Sequence, residues 1–283
     1  MQPLVSSVKI AGMVTSALLS IGVPILLLIL WRKKTRAKWS AALWGAVIFV
    51  VFVFVLESLC HRLVLTGNGK LPVFMNAHPW AYAAYGALAA GVFEETGRFV
   101  AFKWLLRKQN RKETSVMYGI GHGGIEAILL AGVAAISSLV FVLSLNAIGA
   151  EAMLAAAGEQ AAAVQASIDS LVNTNAAMFF VSGLERMMAI ALHISLSVFV
   201  FMAVKRGRFI LYPIAILLHA GVDFFAVLYQ KNIITSIAAI ELLIAAVTAL
   251  IAACAIMLYK KDANPPEDAP ATETAETTEI KEL

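Results

Sequence analysis

Charge is scarce in this chain: Asp, Glu, Lys and Arg make up 14% of its 283 residues, against 60% that are apolar. That balance excludes the surface of a soluble globular domain, where about a quarter of the residues are charged. The apolar residues run on without the alternation of a barrel strand, so a membrane β-barrel is excluded too. Cysteine is nearly absent. The two present, Cys60 and Cys254, fall near opposite ends of different apolar runs, too far apart to bridge, and no disulfide framework is implied. A basic leader and a small-residue cleavage site are both lacking around the first run, which is expected to stay as a span and not to be removed as a signal peptide. Basic residues are missing altogether between Asn146 and Asn175.

What remains is a set of long apolar runs, near 8–31, 40–62, 80–105, 115–145, 177–204, 209–229 and 233–259. Each can cross ~30 Å of hydrocarbon, which takes about 20 helical residues. The fold class is therefore all-α: a polytopic membrane helix bundle of about seven transmembrane helices, one domain over residues 1–261. Residues 262–283, rich in Glu, Thr, Ala and Pro, are expected to form a disordered acidic cytoplasmic tail. Lys and Arg cluster after the first, third, fifth and seventh runs, at Arg32 to Lys38, Arg107 to Lys112, Lys205 to Arg208 and Lys260 to Lys261. Basic loops stay cytoplasmic, so the N-terminus is expected outside and the C-terminus inside, in a cell (plasma) membrane. The net charge of +4 is this topology signal. Its natural partner is the anionic lipid of the bilayer, and no nucleic acid is implied. The Ala-rich stretch from Glu151 to Val172 reads as an exterior helix lying over the bundle, with a gate over an active cavity as the alternative.

Against that apolar background a few ionisable residues stand inside the spans: Glu94, Glu95 and Arg98, then His122 and Glu126, then His193, then His219 and Asp223. Such groups are costly in lipid, about 2.5–3.5 kcal/mol each on insertion scales, and mark function by default. At about 1.5 Å of rise per residue they lie roughly 12–21 Å above the inner basic clusters, in one layer near the midplane. Glu94 and Arg98, His122 and Glu126, and His219 and Asp223 are each four residues apart, so each pair shares a helix face. Blander readings compete for single residues. His193 or Glu185 alone is readable as a satisfied packing residue, and Arg186 as Glu185's partner. Gly119, Gly121, Gly123 and Gly124 read as sites of close helix approach. Glu57, His61 and Arg62 read as snorkelling at the outer interface, and Trp31, Trp39, Trp80 and Trp104 as interface markers.

These motifs resemble those of the CPBP superfamily of intramembrane proteases, with the CAAX-processing endopeptidases, the PrsW proteases and the YhfC family. Glu94-Glu95-Thr96-Gly97-Arg98 looks like the double-glutamate motif with its Arg, Tyr118 to His122 like the aromatic-to-His motif, and His219 to Asp223 like the His-to-Asn/Asp motif. GHGGIEA and GLERMMAIALH, ending at Ala127 and His193, fit the YhfC branch best. The resemblance covers roughly residues 80–229. In one respect the chain departs from the pattern: two residues separate the second Glu from the Arg, where the superfamily has three. Either Glu94 takes the position four before Arg98, or the helix is locally adjusted at Gly97.

The chemistry of the residues leads to the same expectation, an intramembrane endopeptidase acting on membrane-embedded or membrane-associated protein or peptide. Peptide hydrolysis needs a base for water, donors for the oxyanion and an acid for the leaving amine. In a glutamic scheme, without a cofactor, Glu94 or Glu95 activates water and Arg98 orients the pair. His122 and His219 position the water or the oxyanion, and Asp223 fixes the tautomer of His219. In a metal scheme His122, His193 and His219 bind zinc and a glutamate is the base. The absence of HExxH and of any short two-His spacing favours the glutamic scheme. Glu126 completes the primary set; His193, Tyr118, Glu185 and Arg186 form a second tier. Two other classes remain open: a proton-coupled transporter built on the midplane cluster, against which no motif recurs in the second half of the chain, and a catalytically silent relative, which would have lost a member of the set.

Overall fold

The computed structural model describes residues 4–264. Among them every regular element is helical, as lipid demands of a backbone that must satisfy its own hydrogen bonds. Six helices are long and apolar enough to cross a membrane: Ser7–Thr35 (α1), Trp39–Leu65 (α2), Glu113–Ile148 (α5), Ala176–Lys205 (α8), Leu211–Gln230 (α9) and Ile237–Lys261 (α10). A further helix, Pro79–Val100 (α4), has comparable length and continues as a π-helical turn over Ala101–Leu105. It carries too much charge to be counted by apolarity alone, because it holds Glu94, Glu95, Arg98 and Lys103. Lys70–Ala77 (α3), Ala150–Ala157 (α6) and Ala161–Asn173 (α7) are short connecting helices.

The bundle is apolar outside and ionisable within. Leu18, Leu43, Leu63, Val140, Leu217, Leu242 and Leu250 are exposed, whereas Glu94, Glu95, Arg98, His122, Glu126, His193 and His219 are buried. Helix α8 is the most buried of the spans and packs against α1, α5, α9 and α10; α4 packs along α9, and α5 along α2. Two of these crossings need glycine. A Cβ on Gly121 would fall on the Ala42 backbone, and one on Gly91 would meet the Ile216 carbonyl at 2.7 Å, so α2 against α5 and α9 against α4 approach backbone to backbone. The sequence also shaped the helix axes. Pro24 lacks an N–H, and α1 widens into a π-helical turn over Leu18–Gly22 just before it.

Helices α6 and α7 cover the ends of α1 and α5, where Ile168 is buried with Val5, Met13, Val142 and Leu145. Lys9 Nζ donates to the carbonyls of Leu171 (3.2 Å) and Val172, capping the C-terminus of α7. Of the two readings of this stretch, the exterior cover matches its placement. At the start of the stretch expected to be an acidic tail, Asp262 accepts from Arg206 Nε at 2.7 Å, and Asn264 donates to Glu113 at 3.0 Å. Its remainder, 265–283, lies outside the described residues. Cys60 and Cys254 are both free.

Candidate active site

Helix α4 is regular through Gly97, and its π-helical turn begins only at Ala101. No local adjustment separates the double glutamate from the arginine, so Glu94 holds the position four before Arg98. Both carboxylates then fall on the arginine's side of the helix. Arg98 Nη1 binds Glu95 Oε1 directly, and Nη2 lies 3.8 Å from Glu94 Oε2. The two neighbours nonetheless face different ways. Glu95 is fully buried and holds His219, whose Nδ1 donates to Glu95 Oε1 at 2.7 Å. Glu94 lines a cavity of about 380 Å³ together with Glu126, His193, His219 and Asp223.

The other helices bring their imidazoles to the same point. His122 on α5 reaches Glu94 Oε2 through Nε2 at 2.8 Å, its ring edge-on to Phe49. His193 on α8 lies between His122 and His219, with ring centroids 5.0 and 5.3 Å away. Arg98 Nη2 sits 2.5 Å from His193 Nδ1. Because a guanidinium only donates, Nδ1 accepts and the hydrogen belongs on Nε2, which lies against Glu126 Oε2. Glu126 is in turn held by Arg186 Nη1 at 2.8 Å, and Arg186 Nη2 reaches Glu185 at 2.7 Å. His219 Nε2 is left facing Asp223 Oδ2 at 3.5 Å and Glu94 Oε1 at 3.9 Å.

Glu94, Glu126, His193, His219 and Asp223 thus line one cavity, and Glu95, Arg98 and His122 stand behind them, bonded to His219, His193 and Glu94. Asp223, with a side chain 32% exposed, is the wettest member of the primary set. In the second tier, Glu185 and Arg186 stand on the cavity wall, whereas Tyr118 is buried away from it, its ring tilted against those of Phe102 and His122 and its hydroxyl without a hydrogen-bond partner among the described residues. Ligand atoms of Glu94, His193 and His219 lie within 4.8 Å of one another. This differs from the all-histidine set of the sequence reading, because His122 is engaged by Glu94. Glu, His and His is a donor set that open catalytic zinc sites use. The second carboxylates fit as well, since Glu95 holds His219 and Glu126 faces His193, as metal-binding imidazoles need. To free His193 Nδ1 for a metal, Arg98 would swing wholly onto its glutamates.

One part of the site was misread from sequence. Glu57, assigned to snorkelling, is buried on α2 and lines the same cavity, as does His61. The signal was present: a Glu–His pair four apart, the Glu in a run of large apolar residues.

Similarity to known proteins identifies the family. The family described as "YhfC intramembrane metalloprotease" matches residues 19–244, a range holding every residue of the cluster. The chain belongs to the YhfC family. A relative, the uncharacterized membrane protein YhfC of Bacillus subtilis (strain 168), is 35% identical over 249 residues, 87% of this chain and 95% of that protein. No solved structure matches. This YhfC family chain is accordingly a multi-pass membrane protein of an intramembrane protease family.

Proposed function

We propose that the protein is a metal-dependent intramembrane endopeptidase of the cell membrane, with Glu94, His193 and His219 holding a zinc-type ion. The observation that carries the reading is the convergence of those three ligand sets within 4.8 Å on the wall of a cavity of about 380 Å³. Bound there, zinc would polarise the scissile carbonyl and make water more acidic. The rest falls to the chain. Asp223 is a cavity carboxylate with no arginine ion pair among the described residues and is one-third exposed; it accepts the proton of the attacking water. His122, tied to Glu94, steadies that carboxylate. Glu95 and Glu126 fix the outward nitrogens of His219 and His193, and Arg98 and Arg186 hold those two glutamates in turn. Likeness of the three motifs to the CAAX-processing and PrsW proteases supports the same reaction class. A membrane-embedded protein or peptide is the substrate class, since the family is one of intramembrane proteases and the cavity lies among helices apolar enough to span a membrane.

Purified protein in liposomes should carry about one zinc per chain by mass spectrometry. It should cleave a quenched fluorogenic single-span peptide, fall silent on chelation and recover with zinc. Glu94→Gln and His219→Ala should lose both metal and turnover. Cleavage that survives complete removal of metal would instead favour the glutamic scheme, with Glu94 as the base.

A further inference from the structure

Glu57 is a buried carboxylate in a membrane span that the scheme above does not use. Its side chain is 7% exposed, Oε2 has no hydrogen-bond partner, and among the described residues His61 is its only ion-pair partner, with His61 Nε2 at 3.1 Å from Oε1. It closes the π-helical stretch Val50–Glu57 of α2, and such irregular turns gather at functional positions. The π-helical stretch brings Glu57 into the wall that Glu94, His219 and Asp223 also line. A buried carboxylate with one oxygen unpaired costs more here than an apolar residue would, so packing does not account for it.

The hydrogen bonds around it fix where a proton resides. Tyr85 Oη donates to Cys60 Sγ at 3.4 Å, so the same oxygen accepts from His61 Nδ1 at 3.0 Å. With a hydrogen on Nδ1, the contact between His61 Nε2 and Glu57 Oε1 has two descriptions. Either Glu57 is a carboxylic acid donating to a neutral imidazole, or His61 is an imidazolium donating to a carboxylate. Both place one proton between Glu57 and His61. Position suits its transfer: Glu57 lies 18 residues along α2 from Trp39, about 27 Å up, whereas Glu94 lies 11 residues before Leu105, about 16 Å up. The dyad therefore stands ~10 Å above Glu94 along the helix axes, in the wall of the same cavity, a height that two or three waters at about 2.8 Å per hydrogen bond would span.

We propose that Glu57 and His61 are a proton relay for the reaction, holding one shared proton and passing it through cavity water to the leaving nitrogen. The proposal rests on the protease reading. As the water oxygen bonds the carbonyl carbon, its proton goes to the cavity carboxylate. As the C–N bond breaks, the nitrogen takes the dyad's proton, and the proton from the attacking water recharges the dyad. Tyr85 is the positioning residue, since its oxygen keeps the hydrogen on His61 Nδ1.

The test uses the full zinc-loaded chain in liposomes with the fluorogenic single-span peptide. Glu57→Gln and His61→Ala should lower kcat by at least ~10-fold, less than the ~10²–10⁴-fold expected of a group that meets substrate directly. KM and bound zinc should stay unchanged, Glu57→Asp should keep most of the turnover, and added imidazole should restore His61→Ala but not Glu94→Gln. Unchanged kcat in Glu57→Gln, or a loss in His61→Ala that imidazole leaves untouched, overturns the relay. Nitrogen NMR of the histidines supplies an arm independent of cleavage: His61 Nδ1 should be protonated and should lose its fixed tautomer in Tyr85→Phe. A bare Nδ1 in the wild type overturns the dyad, whereas a wild type that cleaves nothing while keeping this signature fails the protease reading and leaves the dyad standing.

Discussion

Glu94 and Glu95 are adjacent in sequence and differ in everything that decides their use. Glu95 has no cavity surface and both Arg98 and His219 on one oxygen, so it orients; Glu94 faces the cavity and His122, so it is free to bind or react. Spacing alone could not separate them, because residues three and four before an arginine both lie on its side of a helix. The same limit hid Glu57, whose register depends on a π-helical stretch that no periodicity announces. Spacing conveyed partnership in part: Glu94 with Arg98, and Asp223 beside His219, are in contact, whereas His122 binds Glu94 and Glu126 binds His193 and Arg186. If Glu95 acts through His219, Glu95→Gln should leave the bundle folded and lower zinc affinity about 10- to 100-fold, the usual effect of losing a second carboxylate, as read by competition with a fluorescent chelator. Unaltered affinity would detach Glu95 from the metal and return it to the glutamic scheme.

At the scale of elements the spans were legible to within a few residues, because lipid sets their length and forbids alternatives to helix. Which helices touch was not, since apolar side chains on every face give no preferred contact stripe. Small residues are the exception. Gly119 through Gly124 were readable as a close-approach surface, and the structure divides it: Gly119 and Gly123 meet α8 at Ile194 and His193, while Gly121 meets α2 at Ala42. None of them lines the cavity, so their contribution to substrate space is indirect. Because a side chain at Gly121 would overlap backbone, which cannot rotate away, Gly121→Val should cost at least the ~1–3 kcal/mol of an overpacked core. Gly22, with nothing within 4 Å of its added Cβ, is the control. Thermal unfolding in detergent should show a lower midpoint for Gly121→Val and none for Gly22→Ala; equal midpoints would mean that α2 and α5 are farther apart than described.

For the whole molecule, the distribution of charge raises a question of topology that hydropathy alone does not decide. Six helices pass a simple test of apolarity, and α4 fails it only because it carries the double glutamate and its arginine. With 22 residues, or about 33 Å of helix, α4 is long enough to cross, and its charges are turned inward onto His193 and His219, where they meet no lipid. We expect seven crossings, with the basic loops after α1, α4, α8 and α10 cytoplasmic. The count makes a sharp prediction at the loop between α4 and α5. If α4 crosses, Lys108 lies on the side opposite Asn68; if it does not, both lie on the same side. In a chain with Cys60 and Cys254 replaced by Ser, single cysteines at Asn68 and at Glu159, which sits between α6 and α7, should react with a membrane-impermeant maleimide on intact cells. Cysteines at Lys34, Lys108 and Lys260 should react only after the membrane is opened. Labelling of Lys108 together with Asn68 would place α4 outside the set of spans. The glutamate pair would then no longer stand at mid-membrane depth, and the argument from the cost of burying charge in lipid would fail with it.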